Sequence, residues 1–392
     1  MKILSINAGS SSLKFTLFNF PEKEEVMSGN FEKIGVGNSF YKIKVNGGKI
    51  EKDVEMKDHS EAVKILMDEL LANKVIDSLE DIDGIGHRIV QGADRYNKSV
   101  IIDEKVISDI DDLSSLAPLR NPAHIVGIKA FKEVLPNVPM VAVFDTAYHQ
   151  TIEEENFLYP VPYEWYEKYN VRKYGAHGTS HRFVNLEISK QLGRDDLKVI
   201  SCHIGNGSSI TAIDSGRVID TSMGFTPLAG VMMGSRCGDI DVSLIPYVMK
   251  KENKDIDEIL NDLNKKSGLL GVSGISSDSR DVENAANEGH ERSILAQNIY
   301  AQKIANYIAM YNNMLGGADV ITMTAGLGER AIAMRKMIIE RIASLGVVID
   351  EEANNIRAEY RLITKPESKI PVYIVPTNEE LMIAEDTYEL VK

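Results

Sequence analysis

Residues 3–18 read ILSINAGSSSLKFTLF. Ile3–Ile6 is a short apolar run, while Leu13, Phe15 and Leu17 alternate with Lys14 and Thr16. Period two is the spacing of a strand, so a tight turn at 9–12 joins two strand candidates, Ile3–Ile6 and Leu13–Phe18. The order returns at residues 199–214, VISCHIGNGSSITAID, where Gly207-Ser208-Ser209 repeats Gly9-Ser10-Ser11. Chance is one explanation, because Gly-Ser turns are common. The other is a duplicated domain, each half opening with a hairpin whose turn holds phosphate.

Neither turn is a Walker loop. That motif needs its glycines to run into a helix and end in Gly-Lys-Ser/Thr, and the alternation after Ser12 is a strand. A turn of small residues can still aim several backbone N–H groups at one anion. Asn7, Ser10, Ser12 and Lys14 add side-chain donors to it. A competing pattern, G-x-G-x-x-A at Gly326–Ala331, follows an apolar run and opens a helical one. It has the outline of a dinucleotide fingerprint, but here it reads better as a helix start packed against a nucleotide.

Working outward, Met140–Phe144, Val199–His203, Val320–Thr324 and Val372–Val375 are further strand candidates. Met140–Phe144 is apolar without alternation, as expected for a strand covered on both faces. A helix capped by Ser60 carries Val63, Leu66, Met67 and Leu70 on one face. A longer one carries Ile304, Ile308, Tyr311 and Leu315 and stops at Gly316-Gly317; another follows Gly328 and ends near Gly346. Alternating strands and helices make this an α/β chain. Between the halves, Tyr148, Phe157, Tyr159, Tyr163, Trp165, Tyr166, Tyr169 and Tyr174 read as an inter-domain wedge or subunit contact, not a solvated linker.

The 392 residues carry 44 basic and 58 acidic side chains, a formal charge of −14. That balance disfavours nucleic acid and anionic membranes as partners. No apolar run approaches the roughly 18–20 residues of a membrane span, and the polar turn at Ser5 argues against a signal peptide. Two cysteines, Cys202 and Cys237, support neither a disulfide framework nor a Cys-rich zinc site, so the expected compartment is the cytoplasm.

ILSINAGSSSLKF and YGAHGTSHRF closely resemble the two signature segments of acetate kinases. So do GHRIVQG, LAPLRNPAH, VFDTAYHQ, CHIGNGSS, MGSRCGDID, GLLGVSGISSDSRD, TAGLGER and TNEELMIA, in family order from end to end. The resemblance implies two duplicated actin-like ATPase (ribonuclease H-like) domains of the actin–hexokinase–chaperone superfamily, with an interdomain active-site cleft. It puts residues 1–148 plus a closing helix at 380–392 in one domain and 149–379 in the other. It also implies a homodimer that makes acyl phosphate from a short carboxylic acid and ATP with Mg2+, or Mn2+ in its place. A non-catalytic switch of the actin or chaperone kind would need an appendage for which no residues are left over. A dehydrogenase would rest on the late fingerprint alone.

Phosphoryl transfer to a carboxylate needs little acid–base help, because the acid is already ionised at pH 7. The obstacle is bringing a carboxylate to a polyanion, so the site needs positioning and charge neutralisation. By resemblance, Arg88 and Arg236 are the active-site arginines, whose planar forks suit carboxylate and phosphoryl oxygens. His177 is the histidine at the transferring phosphoryl group and, with Arg236, stabilises the transition state. Asp145 and Glu379 belong to catalysis, with Asn7 and Glu379 holding the metal. Val90, Leu119, Ala176 and Pro227 line the acyl pocket. His203, Asn206 and Gly207 form the second phosphate turn, while Asp278, Arg280, Gly326, Leu327 and Gly328 form the adenosine pocket. His177 and His181 have zinc spacing, but Gly178 stands where the protease motif needs glutamate. His181 is instead expected to brace the loop.

Four positions depart from the family pattern. Arg120 replaces His, Ala176 replaces Phe, Gln91 stands where His is common, and Arg330 replaces Asn. Ala176 should widen the acyl pocket toward propionate or butyrate unless a neighbour fills the space. Arg330 leaves the phosphoryl donor open.

Overall fold

The computed structural model describes residues 1–392, in two compact units. One comprises Met1–Tyr148 with Asn378–Lys392, the other His149–Thr377. The chain thus returns to the first unit at Asn378, and Glu379 belongs to that unit and not to the second.

The first unit has strands β1 (Lys2–Ala8), β2 (Ser12–Asn19), β3 (Glu24–Glu32), β4 (Phe40–Val45), β5 (Gly48–Asp53), β6 (Ile82–Ile89), β7 (Val100–Ile101) and β8 (Met140–Phe144). They form one sheet in the order β5-β4-β3-β2-β1-β6-β8-β7. β1 pairs antiparallel with β2 and parallel with β6, which pairs parallel with β8. All five residues of β8 are buried, which explains its unbroken apolar run. β3, β4, β5, β6 and β7 are additional to the strand candidates named from sequence. β4 does alternate, with Tyr41, Ile43 and Val45 buried and Lys42 and Lys44 exposed.

The second unit has β9 (Lys198–Ile204), β10 (Ser208–Asp214), β11 (Arg217–Thr221), β12 (Val320–Thr324), β13 (Arg361–Leu362) and β14 (Val372–Ile374), ordered β11-β10-β9-β12-β14-β13. β9 pairs antiparallel with β10 and parallel with β12, which pairs parallel with β14. Three antiparallel strands followed by two parallel ones is the order of β3-β2-β1-β6-β8 too. The echo between residues 3–18 and 199–214 is therefore a shared topology, with each Gly-Ser turn at the same corner of its sheet.

Helices flank both sheets. Helix His59–Ala72 buries Val63, Leu66, Met67 and Leu70 as the spacing predicts, but Asp58 caps it, accepting from the Glu61 amide at 3.0 Å. Ser60 lies one residue inside and donates to Glu133 instead. The helix expected after Gly328 is broken. A helical turn spans Ala325–Arg330, Ala331 leaves helical geometry, and a second helix runs Ile332–Glu340. At the break, buried Arg335 takes up the freed backbone, its Nη1 donating to the Gly328 carbonyl at 3.1 Å. An uninterrupted helix would give that carbonyl to residue 332. Long helix Glu291–Met314 ends before Gly316-Gly317, as expected.

Beyond Tyr148 the aromatic stretch belongs to the second unit and runs from exposed residues to the buried Tyr174. Tyr163, Trp165 and Tyr169 are exposed, and the Arg172 guanidinium lies 3.6 Å from the Phe157 ring centre.

Candidate active site

In the first unit, parallel neighbours β6 and β8 bring Arg88 and Asp145 together at their carboxyl ends. Arg88 Nε donates to Asp145 Oδ1 at 3.0 Å and Nη2 to Oδ2 at 2.6 Å. Asp145 is 1 % exposed, so the carboxylate of this fork-to-fork pair is out of water while the Arg88 side chain is partly exposed. Burial opposes the Arg88 charge, but Asp145 and Glu379 outweigh it and hold the guanidinium above its ordinary pKa.

Helix Glu379–Val391 packs on β6 at Gly86, where a Cβ would fall 2.2 Å from Thr387 Oγ1. That close approach carries the helix start toward Arg88. Asn378 caps the helix by accepting from the Leu381 amide at 3.0 Å. Glu379 Oε1 is buried without a hydrogen-bond partner. Burial raises its carboxyl to about 7, against the pull of Arg88 and with Asp145 and Glu380 adding to the rise.

The first Gly-Ser turn is tied from behind. His59 Nε2 donates to the Gly9 carbonyl at 2.9 Å, a role no sequence pattern announced. Lys14 pairs with Glu380. Asn7, Ser12 and Lys14 line a cavity of about 740 Å3 with Arg120, Asn378 and Glu380; Ser10 is exposed outside that lining. Buried His124 neighbours Arg88, Asp145 and Arg120, and burial, then Arg88, push it down to about 4. Burial, then His124, takes His87 to about 3. Of the acyl-pocket residues in this unit, Val90 is buried and Leu119 is 66 % exposed. Buried Gln91 shapes its own loop, accepting from the Ala93 amide at 2.8 Å.

In the second unit, His177 has φ +58 at the start of helix Gly178–Leu192. A non-glycine residue in that region is strained, and such strain clusters at functional sites. Its ring stacks on His203 with centres 4.0 Å apart. Ser180 holds His203 Nδ1 at 2.8 Å. Gly207 is required by what lies over it: a Cβ there would be 2.5 Å from Arg236 Nη2 and 3.5 Å from His177 Cε1. Arg236 Nη1 also donates to the Pro227 carbonyl at 2.8 Å. The Arg236 loop is pinned at its neck, where the Asp239 amide donates to the Gly230 carbonyl and the Gly230 amide to Asp239 Oδ1, each at 2.8 Å. Tyr307 on the long helix donates to the other Asp239 oxygen.

A cavity of about 840 Å3 opens beside this turn, lined by Asn206, Asp278, Arg280, Gly326 and Leu327 with Glu283, Arg330 and Arg357. His203, Gly207 and Gly328 are not part of that lining. Asp278 caps helix Ser279–Asn287 and forms a two-point ion pair with Arg280.

The chain matches the acetokinase family over residues 2–385. The chain belongs to that family. It is 52% identical to the acetate kinase of Bacillus subtilis, covering 100% of both chains. The crystal structure of Porphyromonas gingivalis acetate kinase superposes with a TM-score of 0.95 at 41% identity. That of a propionate kinase from Francisella tularensis does so with 0.95 at 42%; both cover 100% of each chain. The two units are therefore actin-like ATPase domains, and the late G-x-G-x-x-A is no dehydrogenase fingerprint. Its glycines lie inside the first turn of an acetokinase helix.

Two acetokinase residues escaped the sequence reading. Glu329 Oε1 accepts from the Ala325 amide at 2.9 Å and the Thr377 amide at 3.0 Å, holding Ala325 at φ +64 beside Gly326. Buried Arg335 ties Gly328 to Asn354 and Ile356, with burial, then Arg357, lowering its pKa to about 10. The Glu329–Thr377 contact spans 48 positions and the Arg335–Asn354 and Arg335–Ile356 contacts 19 and 21, separations that leave no local signal. Ala176 has close apolar neighbours. It is buried in one cluster with Met223 and Met233, each 0 % exposed.

Proposed function

We propose that this chain is an acetate kinase, transferring the γ-phosphoryl group of ATP reversibly and directly to the acetate carboxylate. The observation that carries the proposal is Arg236 laid across Gly207 of a Gly-Ser turn beside His177. It sets a fixed cation and an imidazole at a backbone anion nest. Such a site neutralises charge in a transferring phosphoryl group, and direct transfer to an ionised acid asks for no covalent nucleophile. Arg88 binds the acid carboxylate in this reading, with Asp145 fixing its fork. Asn206, Asp278, Arg280, Gly326 and Leu327 take the nucleotide, while Lys14, Ser10, Ser12, His203 and Gly207 attend to its phosphates and Gly328 to the adenosine side.

Glu379 Oε1, a buried acceptor without a partner, fits a divalent cation, and Asn7 supplies a second oxygen. One carboxylate and one amide suit Mg2+, which usually keeps waters and substrate phosphates as its other ligands. Mn2+ fits the same donors. The bound ion neutralises phosphate charge.

Met223 and Met233 favour acetate over longer acids, since they occupy the room left by Ala176. The likeness to a propionate kinase keeps propionate as a weaker substrate, because methionine yields readily. Trapping acyl phosphates with hydroxylamine over two- to four-carbon acids tests this: acetate preference is expected, and butyrate preference overturns it.

The functional unit in this proposal is a cytoplasmic homodimer. Helix Leu244–Glu252 buries none of its residues, with Tyr247 63 % exposed and nearby Val242 73 %. An apolar helix without a cover is what a second copy would bury. No helix is long and apolar enough to cross a membrane. Unpaired Cys202 and Cys237 suit a reducing compartment.

A further inference from the structure

His177, Ser209, His181 and Ser201 form one continuous hydrogen-bond chain. Ser209 Oγ lies 2.9 Å from His177 Nδ1 and 2.7 Å from His181 Nε2, and Ser201 Oγ lies 2.8 Å from His181 Nδ1. Ser201, Ser209 and His181 are each 0 % exposed, so bulk water does not reach the links. Burial, then the neighbouring His149 and His203, hold His181 well below the ordinary imidazole pKa. It is neutral, with one N–H between two hydroxyls.

A serine hydroxyl has one proton to donate. Ser209 therefore donates to one of its two imidazoles and accepts from the other. Only two arrangements complete every link. In the first, Ser201 donates to His181 Nδ1, His181 Nε2–H to Ser209, and Ser209 to His177 Nδ1. A neutral His177 then carries its proton on Nε2. In the second, every link reverses, His177 donates from Nδ1, and the Ser201 proton is left outside the chain. A neutral His177 would then carry a lone pair on Nε2, while a protonated one would carry N–H on both nitrogens.

We infer that Ser209 and His181 are positioning residues which keep a proton on His177 Nε2 in both charge states of that ring. The inference rests on the reading of His177 as the group that meets the transferring phosphoryl. The chain runs toward His177 when its ring is neutral and away from it when protonated. The change adds one proton: both hydroxyls turn, His181 moves its N–H from Nε2 to Nδ1, and His177 gains an Nδ1–H. A donor thus faces the phosphoryl oxygens on either side of the imidazole titration. Titratable and charged groups around the chain include His203, stacked on His177, Arg236 across Gly207, and His149, whose ring centre is 5.9 Å from that of His181.

The test is long-range proton–nitrogen NMR on histidine-labelled enzyme, beside pH–rate profiles, for the parent, Ser209→Ala, Ser209→Thr and Ser201→Ala. Neutral His177 in the parent should be the Nε2–H tautomer. Ser209→Ala should mix its tautomers, lower kcat by about tenfold, and add a rate dependence across pH 5.5–8 that the parent lacks. Ser209→Thr should recover the single tautomer, and Ser201→Ala should mix the tautomers of His181. An Nδ1–H tautomer in the neutral parent overturns the inference. So do unchanged tautomers in Ser209→Ala. Should Ser209→Ala fail to fold, the parent spectrum and Ser201→Ala still decide. A His177→Ala variant that keeps kcat would refute the catalytic reading of His177, while the tautomer result would stand independently.

Discussion

Arg88 and Asp145, 57 positions apart in the chain, meet as a two-point ion pair at the ends of adjacent parallel strands. The pair gives Arg88 one orientation, and the fully buried Asp145 has no water to fall back on. Removing one partner of a buried pair leaves the other charge uncompensated, at about 3–5 kcal/mol. Asp145→Ala should therefore lose both stability and activity, with a lower denaturant midpoint and an acid KM raised tenfold or more by our reckoning, on the order of 1.4 kcal/mol. An unchanged midpoint would show that Arg88 finds another partner.

Acid should weaken the fold through His87 and His124. Their folded values, about 3 and about 4, lie below the ordinary imidazole value of 6.5. Between those values the unfolded chain binds more protons, so stability is complete above pH 6.5 and is lost as pH falls through that window. Each histidine contributes a slope of at most about 1.4 kcal/mol per pH unit. Glu379, raised from 4.5 to about 7, acts in the opposite sense, stabilising below 4.5 and losing that contribution as pH rises through 7. Urea titrations from pH 7 to pH 5 should show a smaller loss for His124→Gln than for the parent. Parallel curves would count against a buried neutral His124.

Arg120 lines the first-unit cavity with a guanidinium where the family pattern has an imidazole. Arg120→His should introduce a limb into the pH–rate profile around the imidazole range. Superimposable profiles for the two proteins would remove Arg120 from the chemistry.

The methionines make a sharper claim about chain length. Met233→Ala should raise kcat/KM for butyrate relative to acetate by about tenfold, the scale of one or two methylenes. No shift in the ratio would mean that Met233 packs against Ala176 without shaping the acyl pocket.

Much of this architecture was legible in the two Gly-Ser turns. A tight turn between period-two runs is a local signal, and its repetition revealed the shared strand order. Arg88 and Asp145 were picked out by the family resemblance, and Asp145 directly follows the apolar run Met140–Phe144. The cap at Asp58 was missed because Ser60, two residues on, is an equally good capping residue. Strands β3 to β5 were missed because their outward faces are charged and no motif drew attention to them. Arg335 at the helix break, Glu329 holding Thr377 and Met233 beside Ala176 are tertiary contacts, and no periodicity encodes them. His59 behind the Gly9 turn is the same kind of case: its partner lies 50 positions away.

The central claim is direct phosphoryl transfer to a small carboxylate at a site built for charge neutralisation. Phosphorus NMR of the purified chain with ATP, Mg2+ and acetate measures it most directly, with Arg236→Ala alongside. The γ-phosphoryl signal should convert to acetyl phosphate with no phosphorus signal on the protein, and Arg236→Ala should slow conversion by about 10²-fold or more. A phosphorylated protein, no acyl phosphate from any short acid, or parental turnover in Arg236→Ala would contradict it.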